Sequence, residues 1–112
     1  MNNLTIFVNK QAVAEYDRDT AIEEDKLTFL DKMDNDMGRG IKIQGELIKA
    51  PDAEQRAKFI VMNLIKALQQ DNQAVIQVSC AYLVNRLPGL VEVQVNEVGS
   101  KIDIELVLEQ LN

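Results

Sequence analysis

The sequence predicts an α+β fold in which N-terminal and C-terminal β-hairpins form an antiparallel sheet packed against about three helices. Apolar and polar residues alternate near both ends of the chain, whereas apolar residues at helical spacing fill the middle. Strands that are grouped at the ends, rather than alternating with helices, favour antiparallel pairing. The chain has 112 residues, 46% of them hydrophobic, and no low-complexity tract, so we expect residues 1–112 to form one globular domain.

The N-terminal segment is interpreted as two short strands joined by a turn near Asn9 and Lys10. Each strand is predicted to place three apolar side chains on one face, and these are Leu4, Ile6, Val8, Ala12, Ala14 and Tyr16. Phe7 interrupts the polar face of the first strand, which indicates that the second face is also partly covered.

The first helix is predicted to begin between Ala21 and Asp25, with Asp19 or Thr20 as its N-cap. It should end near Met37, because two glycines follow within three residues. Its buried stripe is expected to consist of the apolar residues at helical spacing, with an aromatic ring beside them: Leu27, Leu30, Met33, Met37 and Phe29.

The next segment, residues 41–50, is compatible with a short strand or with an irregular loop, because Gly45 interrupts its alternation. A second helix is predicted just after Pro51. Asp52 is a good N-cap, and Gln55 stands three residues later, as in a capping box. The apolar face of this helix is expected to contain Ala57, Ile60, Val61, Leu64 and Leu68.

A third helix is predicted over Gln73–Leu87, and Pro88 ends it. This helix is apolar almost all round, which is typical of a helix buried centrally or at a subunit interface. Its β-branched residues also permit a strand, which remains an alternative. In the second helix, Phe59 and Met62 lie off the main apolar face, so another element or molecule should cover them.

The C-terminal segment predicts a hairpin whose turn contains Gly99. One face of the hairpin is expected to be aliphatic and to pack on the helices, whereas the other is acidic and faces water. The expected aliphatic residues are Val91, Val93, Val95, Ile102, Ile104, Leu106 and Leu108.

The segment Asp31–Gly40 contains three aspartates within six residues and could hold a divalent cation. No register of it matches the EF-hand loop, so that motif is rejected. A looser Mg²⁺ site could use Asp31 and Asp34, which share one helical face, together with Glu46. The competing interpretation is a polar helix face exposed to solvent.

Acidic side chains near a helix C-terminus interact unfavourably with the helix dipole. Asp34 or Asp36 is therefore expected to have a basic partner, and the nearby candidates are Lys32, Arg39 and Lys42.

The composition excludes much catalytic and metal chemistry. The chain has no histidine, which removes the commonest general base and metal ligand. Its one cysteine, Cys80, lies in an apolar stretch and is expected to be a buried, unreactive thiol. We expect no cofactor.

Net charge and hydropathy limit the partners. The formal charge of −6 argues against nucleic acid, because phosphates require clustered Lys and Arg. No stretch approaches the roughly 20 apolar residues that span a bilayer, so no membrane is expected. A single cysteine and no signal-peptide pattern indicate a cytoplasmic protein.

These observations favour a non-enzymatic protein-interaction module that acts as a homodimer or as an accessory subunit. The expected interface residues are Phe59, Met62, Tyr82 and Arg86, the last two of which share one helix face.

Two alternative functions remain open at this point. One is a small-ligand or Mg²⁺-dependent protein that uses Asp31 and Asp34. The other is an acidic inhibitor of a basic partner, which depends on four carboxylates: Glu92, Asp103, Glu105 and Glu109.

Overall fold

The two terminal hairpins belong to one four-stranded sheet, and three helices pack against it. The computed structural model describes residues 2–109. Its elements in chain order are β1 (Asn3–Val8), β2 (Gln11–Asp17), α1 (Glu24–Met37), β3 (Ile41–Ile43), β4 (Glu46–Ile48), α2 (Ala53–Gln69), α3 (Gln73–Arg86), β5 (Leu90–Val98) and β6 (Lys101–Leu108).

The α+β class and both hairpins are confirmed, and the way the hairpins join is a further finding. The strand order is β2-β1-β5-β6, and each hairpin is antiparallel as expected. The central strands β1 and β5, however, pair in parallel, with Ile6 opposite Val93. Parallel neighbours need a long connection. The three helices between β2 and β5 provide it, so the sheet is mixed rather than purely antiparallel.

Pairing across the four strands lines up the apolar side chains on one face of the sheet. Ile6 is opposite both Ala14 and Val93, and Val95 is opposite Ile104. Among the core side chains of this face, Leu4, Ile6, Val93 and Val95 are completely buried. The other face contains polar residues such as Thr5 and Glu92 and no buried residue among residues 2–109. The helices therefore cover one face of the sheet.

Two β-bulges shift the predicted alternation. The pairing of β1 with β2 skips Val13, so Ala12 lies opposite Phe7 and is exposed instead of facing the helices. The pairing of β5 with β6 skips Val91. Leu90 is completely buried, whereas Val91 is only half-buried. The expected inward positions of Ala12 and Val91 were therefore wrong, because each bulge moves one residue out of register.

The helix predictions for α2 and α3 are confirmed. The Asp52 carboxylate accepts a hydrogen bond from the Gln55 N–H at 2.8 Å, and the Gln55 side chain accepts one from the Asp52 N–H at 2.9 Å. This is the predicted capping box. In α3, the five consecutive residues Ser79–Leu83 are all buried. These five residues span more than one helical turn, so this part of α3 passes through the core, and the strand alternative is excluded.

Helix α1 is the least well buried of the three. It begins at Glu24 after Glu23, whose side chain makes no capping bond, so the expected caps at Asp19 and Thr20 were wrong. Within the expected stripe, only two residues are fully buried, Leu30 and Met37.

The other side of the expected stripe faces solvent. Leu27 is 36% exposed and Phe29 is 49% exposed. The apolar contact that holds α1 on the protein is therefore small, and its remaining support must come from other interactions.

Residues 41–50, which were compatible with either a strand or a loop, contain the short hairpin β3–β4. Its turn has positive φ at Gln44 and Gly45, as a two-residue hairpin turn requires. The Gln44 side chain then pairs with the main chain of the edge strand β6. Its Nε2 donates to the Ile102 carbonyl at 2.7 Å, and its Oε1 accepts from the Ile102 N–H at 3.0 Å.

Among residues 2–109, no helix is both long enough and apolar enough to cross a membrane.

We predict that Gln44→Ala exposes the main chain of β6 to water at Ile102. One hydrogen bond contributes about 1 kcal/mol, so amide exchange at Ile102 should accelerate by about fivefold. The measurement is hydrogen exchange followed by NMR. Lys42→Ala, an exposed change in the same hairpin, is the control and should leave this rate unchanged. Full protection of Ile102 in Gln44→Ala would contradict the assignment.

Candidate functional site

Asp34 of α1 is bound by three side chains from the other two helices. Its carboxylate accepts hydrogen bonds from the Tyr82 hydroxyl at 2.5 Å, from Arg56 Nη1 at 3.1 Å and from Arg86 Nε at 2.9 Å. The Asp34 side chain is only 27% exposed. A half-buried carboxylate with two guanidinium partners and one phenol partner joins α1, α2 and α3 at one point.

Helix geometry explains why these residues meet. Asp34 lies in the last turn of α1 and Arg56 in the first turn of α2, so each charge is at the unfavourable end of its own helix dipole. Pairing the two offsets both penalties. Arg56 also donates to the main-chain oxygens of Asp34 and Pro51, each at 3.2 Å. It therefore fastens the end of α1 to the start of α2.

Arg86 binds a second carboxylate of α1. Its Nη2 lies 2.6 Å from Asp31, whose side chain is 72% exposed. On α3, Arg86 and Tyr82 share one face, and the guanidinium carbon lies 6.0 Å from the Tyr82 ring centroid. We refer to Asp31, Asp34, Arg56, Tyr82 and Arg86 together as the Asp34 cluster.

The ionisation states within this cluster follow from its contacts. Burial alone would raise the pKa of Asp34, but hydrogen bonds from Tyr82, Arg56 and Arg86 outweigh it and lower the pKa. Burial and the bond to Asp34 raise the pKa of Tyr82. Burial opposes the charge of Arg86, but its bonds to Asp34 and Asp31 raise its pKa. At neutral pH, Asp34 is therefore ionised, Tyr82 is protonated and Arg86 is charged.

The expected metal ligands are not brought together. Asp31 and Asp34 do share one face of α1, but Arg56 and Arg86 bind the Asp34 carboxylate, and Arg86 also binds Oδ1 of Asp31. Glu46 is exposed on β4. Within residues 2–109, no three His, Cys, Asp or Glu side chains are grouped so that they could hold a metal ion. Both aspartates bind guanidinium groups instead. Asp34 therefore does not belong to a helix face that is only exposed to solvent, which was the competing interpretation.

The expected interface residues lie in two different places. Phe59 and Met62 are half-buried and pack against the core, and Tyr82 is 2% exposed. Arg86 lies in the Asp34 cluster. The four residues therefore do not form one exposed patch.

An exposed apolar surface surrounds Phe29 instead. This ring stands between two hollows, one of about 340 Å³ that all three helices line and one of about 420 Å³ between α1 and α3. We call Phe29 with these two hollows the Phe29 surface. The apolar residues that line the hollows include Leu30, Met33, Ile60, Ala67, Ala74, Val75, Val78 and Ala81.

Cys80 is buried, as expected, and burial raises the pKa of its thiol to about 11. Since the thiolate is the reactive form, this cysteine is a core residue rather than a nucleophile.

The sequence pointed correctly to a basic partner for Asp34 but to the wrong residues. The expected partners were Lys32, Arg39 and Lys42, whereas the structure gives Arg56 and Arg86. The sequence feature that could have identified a partner is Arg56 in the first turn of α2. A positive charge is unfavourable at a helix N-terminus, just as the negative charge of Asp34 is unfavourable at a helix C-terminus.

Comparisons with protein-family models, with curated proteins and with solved structures found no match.

We predict that Asp34→Ala lowers the free energy of unfolding by about 2 kcal/mol, because two half-buried guanidinium groups and one phenol lose their partner. Asp31→Ala is the matched control. It removes a carboxylate from the same helix face, but an exposed one, and should cost less than about 1 kcal/mol. Urea unfolding of both variants measures the difference. Equal losses would show that Asp34 has no special role.

We also predict a pH dependence with a definite sign. Because the pKa of Asp34 is below its ordinary value of 3.8, its ionised form stabilises the fold fully above that value. This contribution is lost as pH falls through the lowered pKa. The stability difference between wild type and Asp34→Asn should therefore be constant near neutrality and shrink below 3.8. Urea unfolding at a series of pH values tests this, and a difference that grows in acid would contradict it.

Proposed function

We propose that this chain is a non-enzymatic protein-interaction module that forms a homodimer through the Phe29 surface. The supporting observation is the 49% exposure of Phe29 between two apolar hollows. Aromatic side chains of this kind are frequent anchors at interfaces. The absence of histidine from the sequence, together with the buried Cys80, favours binding over catalysis.

The shape of the surface favours a second copy as the partner. In a dimer with two-fold symmetry the same patch is used by both subunits, so it must be complementary to itself. Here a projecting ring and hollows of about 340 and 420 Å³ lie side by side. Under a two-fold axis, Phe29 of each subunit would enter a hollow of the other.

The charges around Phe29 are compatible with self-association. The total charge of −6 would repel two copies, but the residues that line the hollows are of both signs. They include Asp25, Lys26 and Lys66. Carboxylate and ammonium groups at the edge of one patch can therefore face their opposites across the two-fold axis.

The location and the excluded partners belong to the same proposal. We place the protein in the cytoplasm, because its one cysteine is a free, buried thiol, as is usual in a reducing compartment where disulfides are rare. We propose no nucleic-acid partner, because a net charge of −6 opposes phosphate binding over a wide surface.

A second candidate is binding of a small ligand near the Asp34 cluster. A hollow of about 300 Å³ beside the cluster favours it. Mg²⁺ is a poor occupant, because the oxygens of Asp34 already accept hydrogen bonds from Arg56, Arg86 and Tyr82.

The homodimer is tested by sedimentation velocity over a series of protein concentrations. We expect the wild type to form dimers and Phe29→Asp to weaken dimerisation by at least about 2 kcal/mol, as loss of an aromatic anchor does. Val98→Asp is the matched control, since Val98 is 70% exposed at the far end of β5. That variant should dimerise normally.

Either of two results would overturn the proposal. One is a wild-type protein that sediments as a monomer at every concentration, whether or not it binds a different protein. The other is equal loss of the dimer in both variants, which would place the interface elsewhere.

A further inference from the structure

A hollow of about 300 Å³ lies beside the Asp34 cluster. Its lining consists of Asp34, Pro51, Ala53, Arg56, Tyr82 and Arg86. None of these residues lines either hollow of the Phe29 surface, so the two regions share no lining residue. We propose that the hollow binds a phosphate group, as inorganic phosphate or as a phosphomonoester, through Arg56 and Arg86.

The two arginines keep donors for a ligand after their protein contacts are made. Arg56 uses Nε and Nη1, and within residues 2–109 its Nη2 has no hydrogen-bond acceptor. In Arg86, Nη1 donates to Asn85 and Nη2 to Asp31. Each of these two nitrogens has a second N–H. Both side chains are about one quarter exposed, at 26% and 27%, so solutes can reach them.

The charge of the lining favours an anion. Two guanidinium groups and the Asp34 carboxylate give it a formal charge of +1. Asp31 partly neutralises Arg86, but it is exposed and does not line the hollow. Guanidinium groups donate strong, charge-assisted hydrogen bonds to phosphate oxygens.

Asp34 also holds the two guanidinium groups in place before a ligand arrives. It binds Arg56 and Arg86 at 3.1 and 2.9 Å, so neither long side chain has to be ordered anew on binding. Ordering a flexible side chain otherwise costs about 1 kcal/mol. Asp34 is thus a positioning residue for the two that would contact phosphate.

The start of α2 adds a further donor. Ala53 is the first residue of this 17-residue helix and lines the hollow. The N–H groups of a first helical turn have no partner within the helix. Their alignment also creates a partial positive charge that attracts anions.

The experiment is a titration of the ¹⁵N-labelled full-length chain with inorganic phosphate at constant ionic strength, followed by NMR. We expect saturable shifts in the Ala53 and Arg56 amides and in the Nε–H of Arg56 and Arg86. Acetate, titrated in the same way, separates phosphate from carboxylate recognition and should bind about tenfold more weakly. Shifts that never saturate, or equal binding of acetate, would overturn the proposal.

Two variants locate the site. Arg56→Gln should weaken phosphate binding by about tenfold, since a charged hydrogen-bond donor is lost. Ala53→Pro keeps every charge but removes one N–H and adds a ring at the edge of the hollow, so it should also weaken binding. Proline is tolerated at the first helical position. The preceding residue, Asp52, already has the extended backbone that proline requires, with φ −82° and ψ −179°. This variant should therefore fold normally.

Lys66→Gln is the matched control for charge. It removes one positive charge from the same helix, but Lys66 lines a hollow beside Phe29 instead. Phosphate should bind this variant as it binds the wild type. Equal weakening in Lys66→Gln and Arg56→Gln would show that phosphate senses only the overall charge, and unchanged binding in both Arg56→Gln and Ala53→Pro would place it elsewhere.

Discussion

The carboxylate of Asp34 is the point at which side chains of both other helices hold α1. Helix α1 fully buries only Leu30 and Met37, which is little apolar contact for 14 residues. Arg56 and Arg86 supply the missing attachment through charged hydrogen bonds. The position of α1 in turn creates the hollows beside Phe29, so the apolar surface depends on an ionic contact at the other end of the same helix.

Much of the fold could be predicted because its information is local. Alternation identified both hairpins, and the capping residues Asp52 and Gln55 identified the start of α2. The parallel pairing of β1 with β5 could not be predicted, because it depends on the route of the three helices between them. The bulges at Val13 and Val91 were also missed. A bulge is defined by the partner strand, so the sequence of one strand alone does not reveal it.

The candidate site was predicted in part. Asp31 and Asp34 were correctly placed on one helix face, and Tyr82 and Arg86 on another. Their chemistry was missed because the partners of Asp34 lie 22 residues away at Arg56 and 52 residues away at Arg86. No spacing rule connects residues on three helices. The exposure of Phe29 was missed for a related reason, since the small contact area of α1 follows from how it docks, not from its own apolar pattern.

The contact of Gln44 with Ile102 makes the two edges of the sheet unequal. A new strand joining β6 at Ile102 would first have to displace the two hydrogen bonds of Gln44, at 2.7 and 3.0 Å. Among the described residues, no side chain covers the outward amide and carbonyl groups of β2 in this way. A molecule with two open edges can add neighbours without limit and grow into a fibre. With one edge obstructed, growth by strand pairing ends once two β2 strands have met. A single glutamine amide thereby makes strand addition at Ile102 costlier than addition at the β2 edge.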